Sequence, residues 1–371
     1  MAKKEDERSL NVRQGVAAPA AINPHLKTKI RPDLSTATII EGLISGNKIY
    51  LSKAITLVES TQRNHTQQAQ ELVEACLPHS GASVRIGITG TPGVGKSTFI
   101  EALGLALIKQ GRKVAVLAID PSSQLSKGSI LGDKTRMEQL SRQEDAYIRP
   151  SPAGDTLGGV ARKTRESIIL CEAAGYDTIL IETVGVGQSE VAVHALSDFF
   201  LLLLLPGAGD ELQGIKRGIV EMADLIVVNK ADGDRVLLAK QARAAYKNAL
   251  HLFPPKDSQW IPQVLTCSAI SGTGLPEILE TLFEFIAFTQ KNAYFDSNRK
   301  LQARYWLYET INDRLRADFF QHPSVREKLS FIEKEVLSGQ ISSFQGAEKL
   351  LELFLSKKKA ESDDLSGPQP S

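Results

Sequence analysis

Hydrophobic and polar positions follow three patterns along the chain. In residues 35–77, apolar side chains recur at helical spacing around a break at Gly46, which predicts a small helical region. In residues 84–267, short apolar runs alternate with helix-like segments. Beyond Gly274 the spacing is helical and nearly unbroken to Phe320, and the runs Ser324–Leu337 and Ser343–Leu355 follow it.

The apolar runs of the middle region have the length of β-strands. The most apolar, Phe199–Leu205, ends at Pro206 and is too short to span a membrane, so we interpret it as a buried central strand. Alternation of strands and helices predicts an α/β fold with a doubly wound, mostly parallel sheet that binds its ligand at the carboxyl ends of the strands. The predicted strands are Val84–Thr89, Lys113–Asp120, Ala146–Arg149, Asp177–Glu182, Asp198–Leu205, Asp224–Asn229 and Gln263–Cys267.

These patterns divide the chain into five predicted parts: a flexible N-terminal arm (1–32), an N-terminal helical domain (33–80), an α/β domain (81–290), a C-terminal helical arm (291–356) and a disordered tail (357–371). The N-terminal helices could equally cap the α/β domain or bind a partner. On the C-terminal arm an apolar stripe favours pairing with a second subunit over packing on the chain's own domain. The stripe consists of Leu301, Tyr305, Tyr308, Ile311, Leu315 and Phe319.

Composition narrows the class of protein. The formal net charge is +1, which argues against a global electrostatic nucleic-acid binder. Cys76, Cys171 and Cys267 are far apart and odd in number, which indicates a reducing compartment rather than a disulfide framework. Residues 1–14 mix charges without an apolar core, so a secretory signal is not expected. We therefore expect a cytoplasmic protein with no membrane or nucleic-acid partner.

One segment between a predicted strand and a predicted helix fits the phosphate-binding pattern G-x-x-x-x-G-K-[ST]. Its glycines allow backbone N–H groups to point at one anion, and the following helix adds its positive N-terminal dipole. In this P-loop NTPase pattern, Lys96 reaches the β- and γ-phosphates and the Ser97 hydroxyl ligates Mg²⁺. The predicted cradle is Gly90, Thr91, Pro92, Gly93, Val94, Gly95, Lys96 and Ser97, followed by Thr98.

Carboxylates at the ends of two strands suggest a metal site beside the cradle. Asp120 and Glu182 each follow an apolar run, and Asp133 is a third possible oxygen ligand. Glu182 begins a Glu-Thr-Val-Gly segment where many GTPases have D-x-x-G, so the N–H of Gly185 could sense the γ-phosphate. Candidate ligands of Mg²⁺, which favours oxygen atoms and keeps several waters, are therefore Ser97, Asp120 and Glu182, with Asp133 as a further possibility.

A second motif predicts which base the bound nucleotide carries. This motif is Asn229-Lys230-Ala231-Asp232, at the end of an apolar strand. The Asp232 carboxylate can accept hydrogen bonds from guanine N1–H and N2–H₂, donors that adenine lacks at those positions. Ser268-Ala269-Ile270 follows the next strand and is predicted to contact guanine O6 through its backbone. The ligand is therefore predicted to be GTP, or GDP after hydrolysis.

The predicted reaction is in-line attack of water on the γ-phosphate, with Lys96, Glu182, Gln188 and Lys216 as candidate catalytic residues. Gln188 could orient the water, although two extra residues separate it from the usual spacing after Gly185. Lys216 lies in the glycine-rich segment 206–218, which we interpret as a mobile switch; a solvated lysine is the alternative. Because no complete water-activating group is evident, we predict slow hydrolysis that a partner accelerates.

Six segments of the chain closely resemble the MeaB/ArgK/MMAA family of P-loop GTPases. They are Gly90–Thr98, Asp120–Ser123, Gly128–Met137, Glu182–Glu190, Pro206–Gly218 and Asn229–Asp232. The resemblance covers about residues 36–355. It implies a homodimeric GTPase of the SIMIBI class that chaperones an adenosylcobalamin-dependent acyl-CoA mutase, typically methylmalonyl-CoA mutase, by gating cofactor delivery and protecting or reactivating the mutase. It also implies Mg²⁺ held by Asp120, Asp133 and Glu182, switch loops around Asp133 and at 206–218, and a C-terminal dimer arm.

Three other functions stay open at this point. One is a transport-associated protein kinase, an older description of this family, although Asp232 argues against ATP. Another is a metal-insertion GTPase, although the six histidines, His25, His65, His79, His194, His251 and His322, are scattered. The third is a binding module in which GTP is a structural ligand. The particular mutase is also open, because methylmalonyl-, ethylmalonyl- and isobutyryl-CoA mutases would need similar partners.

Overall fold

The computed structural model describes residues 35–60, 62–119, 137–150, 157–183, 189–207 and 217–364. Seven parallel strands within these residues form one sheet in the order β3-β2-β4-β1-β5-β6-β7. The strands are β1 Val84–Gly90, β2 Val114–Ile119, β3 Ala146–Arg149, β4 Thr178–Thr183, β5 Phe199–Leu204, β6 Leu225–Val228 and β7 Gln263–Thr266. The predicted α/β fold and its parallel sheet are confirmed.

Helices connect the strands and extend the chain at both ends. None of the described helices is both long and apolar enough to cross a membrane. The helices are α1 Thr36–Ile44, α2 Lys48–Glu59, α3 Arg63–Cys76, α4 Lys96–Lys109, α5 Glu138–Ser141, α6 Leu157–Ala173, α7 Ser189–His194, α8 Arg217–Met222, α9 Val236–Leu250, α10 Leu275–Lys291, α11 Tyr294–Gln321, α12 Pro323–Leu337 and α13 Ser343–Asp364.

Two hydrophobic cores cover opposite faces of the sheet. Along β5, Leu201 and Leu203 join the core formed with α4 and α10, whereas Leu202 and Leu204 join the core formed with α9. Successive strand residues point to opposite faces, so this division places α4 and α10 on one side and α9 on the other. Burial on both faces explains why these strands are continuous apolar runs rather than alternating ones.

The N-terminal helices α1–α3 pack against α6, and side chains of α2 contact the edge strand β3. The Arg149 guanidinium at the end of β3 forms an ion pair with Glu59 of α2, and Ser52 and Tyr147 share a hydrogen bond of 3.3 Å between their hydroxyls. Lys48 donates to the Gln143 carbonyl at 3.2 Å. The capping role that the sequence left open is therefore present in the contacts of these helices.

The C-terminal region differs from the predicted pattern in three places. Ala293 at φ 62° separates α10 from α11, so the helical run from Gly274 to Phe320 is broken. Phe319 packs against the small core of the α12–α13 hairpin and is not part of an exposed stripe. Helix α13 continues to Asp364, past the predicted start of the disordered tail at residue 357. The other predicted domain boundaries stay predictions, because the described residues from Thr36 onward belong to one compact unit.

A buried ion pair anchors α11 to the amino-terminal edge of the sheet. Arg299 donates from Nε and Nη2 to the two carboxylate oxygens of Asp198, at 2.8 and 2.7 Å. Asp198 also accepts the backbone N–H of Arg85 at 2.8 Å. Arg299 also donates to the carbonyl oxygens of Gly81 and Ser83. Both charged side chains are largely excluded from solvent, so each depends on the other to balance its charge.

We expect the Asp198→Ala variant to lose about 3–5 kcal/mol of unfolding free energy, because Arg299 would keep a buried charge without its carboxylate. The matched control is Asp318→Ala, which removes the carboxylate of the exposed Arg314–Asp318 pair on the same helix as Arg299 and should change stability by less than about 1 kcal/mol. Urea denaturation followed by circular dichroism measures both values. Equal effects of the two substitutions would contradict the structural role assigned to the buried pair.

Candidate active site

The loops that follow β1, β6 and β7 meet near the end of β4 at the carboxyl ends of the strands, where doubly wound folds bind ligands. β1 ends at Gly90, where a Cβ atom would lie 2.5 Å from the carbonyl oxygen of Leu203, so only glycine fits. Gly95 at φ 90° precedes α4 and lies against the Asn229 side chain, 3.1 Å from where a Cβ would stand. The two glycines give the cradle its sharp turn from strand to helix.

Lys96 folds back over this cradle. Its Nζ donates to the carbonyl oxygens of Gly90 at 2.8 Å and Thr91 at 3.4 Å. Burial lowers the pKa of Lys96, while the negative charges of Glu182 and Glu190 act in the opposite direction. The ammonium group thus sits at the N-terminus of α4, among neutral carbonyls that phosphate oxygens can replace as stronger acceptors.

Oxygen atoms suited to a metal ion lie beside the cradle. The Ser97 hydroxyl donates to the Glu182 carboxylate at 3.4 Å, and Glu182 is buried at the end of β4. Thr89 and Thr183 share a 3.0 Å hydrogen bond that joins the ends of β1 and β4. This donor set fits Mg²⁺, which takes one or two protein oxygens together with water and phosphate oxygens.

Several predicted residues lie outside the described part of the chain. These are the metal candidates Asp120 and Asp133, the γ-phosphate sensor Gly185, and the catalytic candidates Gln188 and Lys216. Their predicted roles stay predictions. Within the described ranges, no three His, Cys, Asp or Glu side chains come together as a metal-binding cluster.

Asn229 connects the phosphate cradle to the loop predicted to contact the base. Its buried amide donates to the Val94 carbonyl at 2.9 Å and accepts the Ala269 N–H at 3.2 Å. Lys230, which adopts φ 57°, donates from Nζ to the Gly93 carbonyl at 2.8 Å. The structure therefore brings the two predicted motifs together through direct hydrogen bonds.

The Asp232 carboxylate is oriented by the side chain of Ser268, whose hydroxyl donates to it. The Ser268 hydroxyl in turn accepts the N–H of Ser271 at 3.3 Å, and the Ala231 N–H donates to the Cys267 carbonyl at 3.0 Å. The sequence predicted only a backbone role for Ser268. The predicted contact of this loop, including the exposed Ile270, with guanine O6 stays a prediction.

Glu190 is a buried acid whose charge raises the pKa of Lys96, and the sequence reasoning did not single it out. It lies in the first turn of α7, is 4% exposed, and its charge acts on Lys96. Its only sequence signal is membership of the Glu182–Glu190 segment, because its closeness to Lys96 depends on how α7 packs.

Three features together define a P-loop GTPase. A phosphate cradle follows the first strand, the oxygen atoms of Ser97 and Glu182 lie beside the cradle, and an Asn-Lys-x-Asp motif is hydrogen-bonded to the cradle. The protein is therefore a GTPase with a guanine-nucleotide site at the carboxyl edge of the sheet.

Comparison with known proteins identifies the family. The family described as methylmalonyl Co-A mutase-associated GTPase MeaB matches residues 51–324, and the chain belongs to it. The mitochondrial methylmalonic aciduria type A homolog of Mus musculus is 48% identical over 85% of this chain and 79% of its own length. GTPase ArgK of Escherichia coli is 44% identical over 82% of this chain and 94% of its own length. The family resemblance expected from the motifs is confirmed.

A solved structure supports the same fold. The crystal structure of a LAO/AO transport system kinase superimposes with a TM-score of 0.70 and 36% sequence identity, over 88% of this chain and 99% of that chain. The predicted P-loop fold with helical extensions is confirmed.

We expect Lys96→Ala to weaken GTP binding by about 10- to 100-fold, because hydrogen bonds to a charged group contribute about 1.5–3 kcal/mol. The matched control is Lys109→Ala, which removes an exposed lysine from the last turn of the same helix and should leave the affinity unchanged. Isothermal titration calorimetry with GTP and Mg²⁺ measures both. Wild-type affinity in Lys96→Ala would contradict the assignment of the cradle.

We expect Asp232→Asn to lose about 10- to 100-fold in GTP affinity and to prefer xanthosine triphosphate, whose C2 carbonyl can accept from the new amide. Asp234→Asn, two residues further along on an exposed turn, is the control and should keep the preference for GTP. Competition binding with the two nucleotides measures the ratio. If Asp232→Asn still prefers GTP, the base assignment is wrong.

Proposed function

We propose that this GTPase is a chaperone of an adenosylcobalamin-dependent acyl-CoA mutase, with methylmalonyl-CoA mutase as the first candidate. In this role it gates cofactor loading and protects or reactivates the mutase. The main support is that the matching family, which covers most of the chain, is described as mutase-associated. The relatives in Mus musculus and Caenorhabditis elegans carry names from methylmalonic aciduria.

The proposed reaction is in-line attack of water on the γ-phosphate of GTP. The cradle amides and Lys96 bind the β- and γ-phosphates and stabilise the charge that spreads over the transferring group. Ser97 and Glu182, with Asp120 and Asp133, would hold Mg²⁺, which neutralises charge on the phosphate oxygens when bound. Catalysis then depends mainly on positioning, which the hydrogen bonds of Lys96 to the cradle carbonyls and of Ser97 to Glu182 support.

Selection of guanine is assigned to Asp232, with Ser268 holding its carboxylate in place. An adenine base would lack the two donors that face this carboxylate, and a carboxylate covered by a base that offers it no donor is costly. This assignment argues against a protein kinase that uses ATP, which the words "transport system kinase" suggest for the structural relative.

Turnover is proposed to be slow in the isolated protein and faster in complex with the mutase. Gln188 and Lys216 are the proposed groups near the attacking water, and a partner that orders their segments would complete the site. Loss of the γ-phosphate would then release the switch segments and change the grip on the mutase.

The protein is proposed to act as a cytoplasmic homodimer. Helix α11 exposes Leu301, Tyr308, Ile311 and Leu315, which are 44% to 62% accessible. Apolar side chains repeated along one helix suit a self-complementary contact with a second copy. The near-neutral charge of the chain gives no support for a nucleic-acid partner.

The test is the rate of GTP and ATP hydrolysis by the purified protein, with and without methylmalonyl-CoA mutase from the same source. We expect slow, GTP-selective turnover that rises several-fold with the mutase. Ethylmalonyl- and isobutyryl-CoA mutases serve as parallel arms that identify the partner. The Lys96→Ala variant controls for contaminating hydrolases. If no mutase changes the rate, or if ATP is preferred, the proposed function is wrong.

A further inference from the structure

Backbone pairing between β1 and β4 stops just short of the candidate active site. The register of these two strands ends at the pair Ile88 and Glu182. Beyond that pair, β1 stays in register with β5 up to Gly90, and β4 stays in register with β2 up to Thr183. The strand that leads into the phosphate cradle and the strand that carries Glu182 are therefore paired with different neighbours where they enter the site.

Two threonine hydroxyls connect the strands at this point. Thr89 and Thr183 share a hydrogen bond of 3.0 Å between their hydroxyl oxygens. Their side chains are 2% and 0% exposed, so bulk water does not compete for the bond and loss of one hydroxyl would leave the other buried without this partner. Thr89 directly precedes Gly90 of the cradle, and Thr183 directly follows Glu182. The bond therefore links the two halves of the predicted metal site.

This link acts through the strands and not by contact with the metal position. Successive strand residues point to opposite faces of a sheet, so the Thr183 hydroxyl lies on the face opposite to the Glu182 carboxylate. That carboxylate accepts the Ser97 hydroxyl of α4 at 3.4 Å. Mg²⁺ requires nearly ideal octahedral geometry with ligands at about 2.0–2.1 Å, and groups behind the ligands commonly hold them in such positions.

We propose that the hydrogen bond between Thr89 and Thr183 is a positioning element of the Mg²⁺ site. It holds the end of β4 against the cradle, so that the Ser97 hydroxyl and the Glu182 carboxylate keep the separation that the ion needs. Both threonines are positioning residues, and their bond affects the part of nucleotide binding that depends on Mg²⁺. This inference deepens the proposed function and rests on its Mg²⁺ site, not on the identity of the mutase.

The test compares binding of a non-hydrolysable GTP analogue with Mg²⁺ and in EDTA, measured by calorimetry. The ratio of the two dissociation constants is the metal gain. Thr89→Val and Thr183→Val keep the shape of the side chain and remove the hydroxyl. We expect each substitution to lower the metal gain about 5- to 10-fold and to leave the affinity in EDTA within about twofold of the wild type.

The matched control is Thr178→Val at the amino end of β4. Thr178 is 3% exposed, and its hydroxyl donates to the Asp177 carboxylate at 2.7 Å. This substitution also removes a buried hydroxyl from the same strand, so it should lower the thermal unfolding midpoint and leave the metal gain unchanged. If Thr178→Val lowers the metal gain as much as Thr183→Val, the effect is a general loss of stability and the proposal is wrong.

Two further variants separate the hydrogen bond from packing. Thr89→Ser keeps a hydroxyl and should retain the metal gain of the wild type. The double variant Thr89→Val/Thr183→Val should lose no more than the more affected single variant, because both substitutions remove the same bond. A metal gain lost in Thr89→Ser, or losses that multiply in the double variant, would overturn the assignment to the bond.

Failure of this inference can be told apart from failure of the proposed function. A metal gain that the valine variants retain in full refutes the positioning role alone. A wild-type protein with no metal gain refutes the proposed Mg²⁺ site and this inference with it. None of these measurements contains the mutase, so a mutase that fails to stimulate hydrolysis bears only on the proposed chaperone role.

Discussion

The buried amide of Asn229 is the interaction on which the candidate site depends. The phosphate cradle follows β1 and the loop predicted to contact the base follows β7, and these strands are separated in the sheet by β5 and β6. Asn229 bonds to both loops at once, through the Val94 carbonyl and the Ala269 N–H. An amide can donate and accept simultaneously, which explains why this side chain, and not a carboxylate or an ammonium group, fixes the distance between the two halves of the site.

Charged residues have different roles at the amino ends and at the carboxyl ends of the strands. At the amino edge, Arg299 and Asp198 satisfy each other, and Glu172 accepts from Ser83 and pairs with Arg85, so the charges there serve stability. At the carboxyl edge, Lys96 is desolvated and bonded to carbonyls of its own loop. An ammonium group among neutral acceptors gains when phosphate oxygens arrive. Exchanging these carbonyl acceptors for phosphate oxygens therefore contributes favourable free energy to nucleotide binding.

The sequence predicted those parts of the fold and site that depend on local pattern. Continuous apolar runs predicted the parallel strands, and the two nucleotide motifs identified Lys96, Asn229 and Asp232 as candidate site residues. Features that depend on tertiary packing were missed. Ala293 adopts a positive φ that residue type does not indicate. Phe319 is partly buried against helices that follow it, and Glu190 is buried through the packing of α7. Contacts such as Trp306 to Ala195 join residues 111 positions apart, where no periodicity can detect them.

The contacts of α2 with the edge strand β3 bear on the order in which the chain assembles during synthesis. An edge strand offers unpaired N–H and C=O groups to other chains. Here α2 contacts β3 through Ser52 and Glu59 and precedes it in the sequence, so α2 leaves the ribosome first. The ion pair between Glu59 and Arg149 can therefore form as soon as β3 joins the sheet. The order of elements along the chain thus makes a packing partner available to the edge strand from the moment that this strand is synthesised.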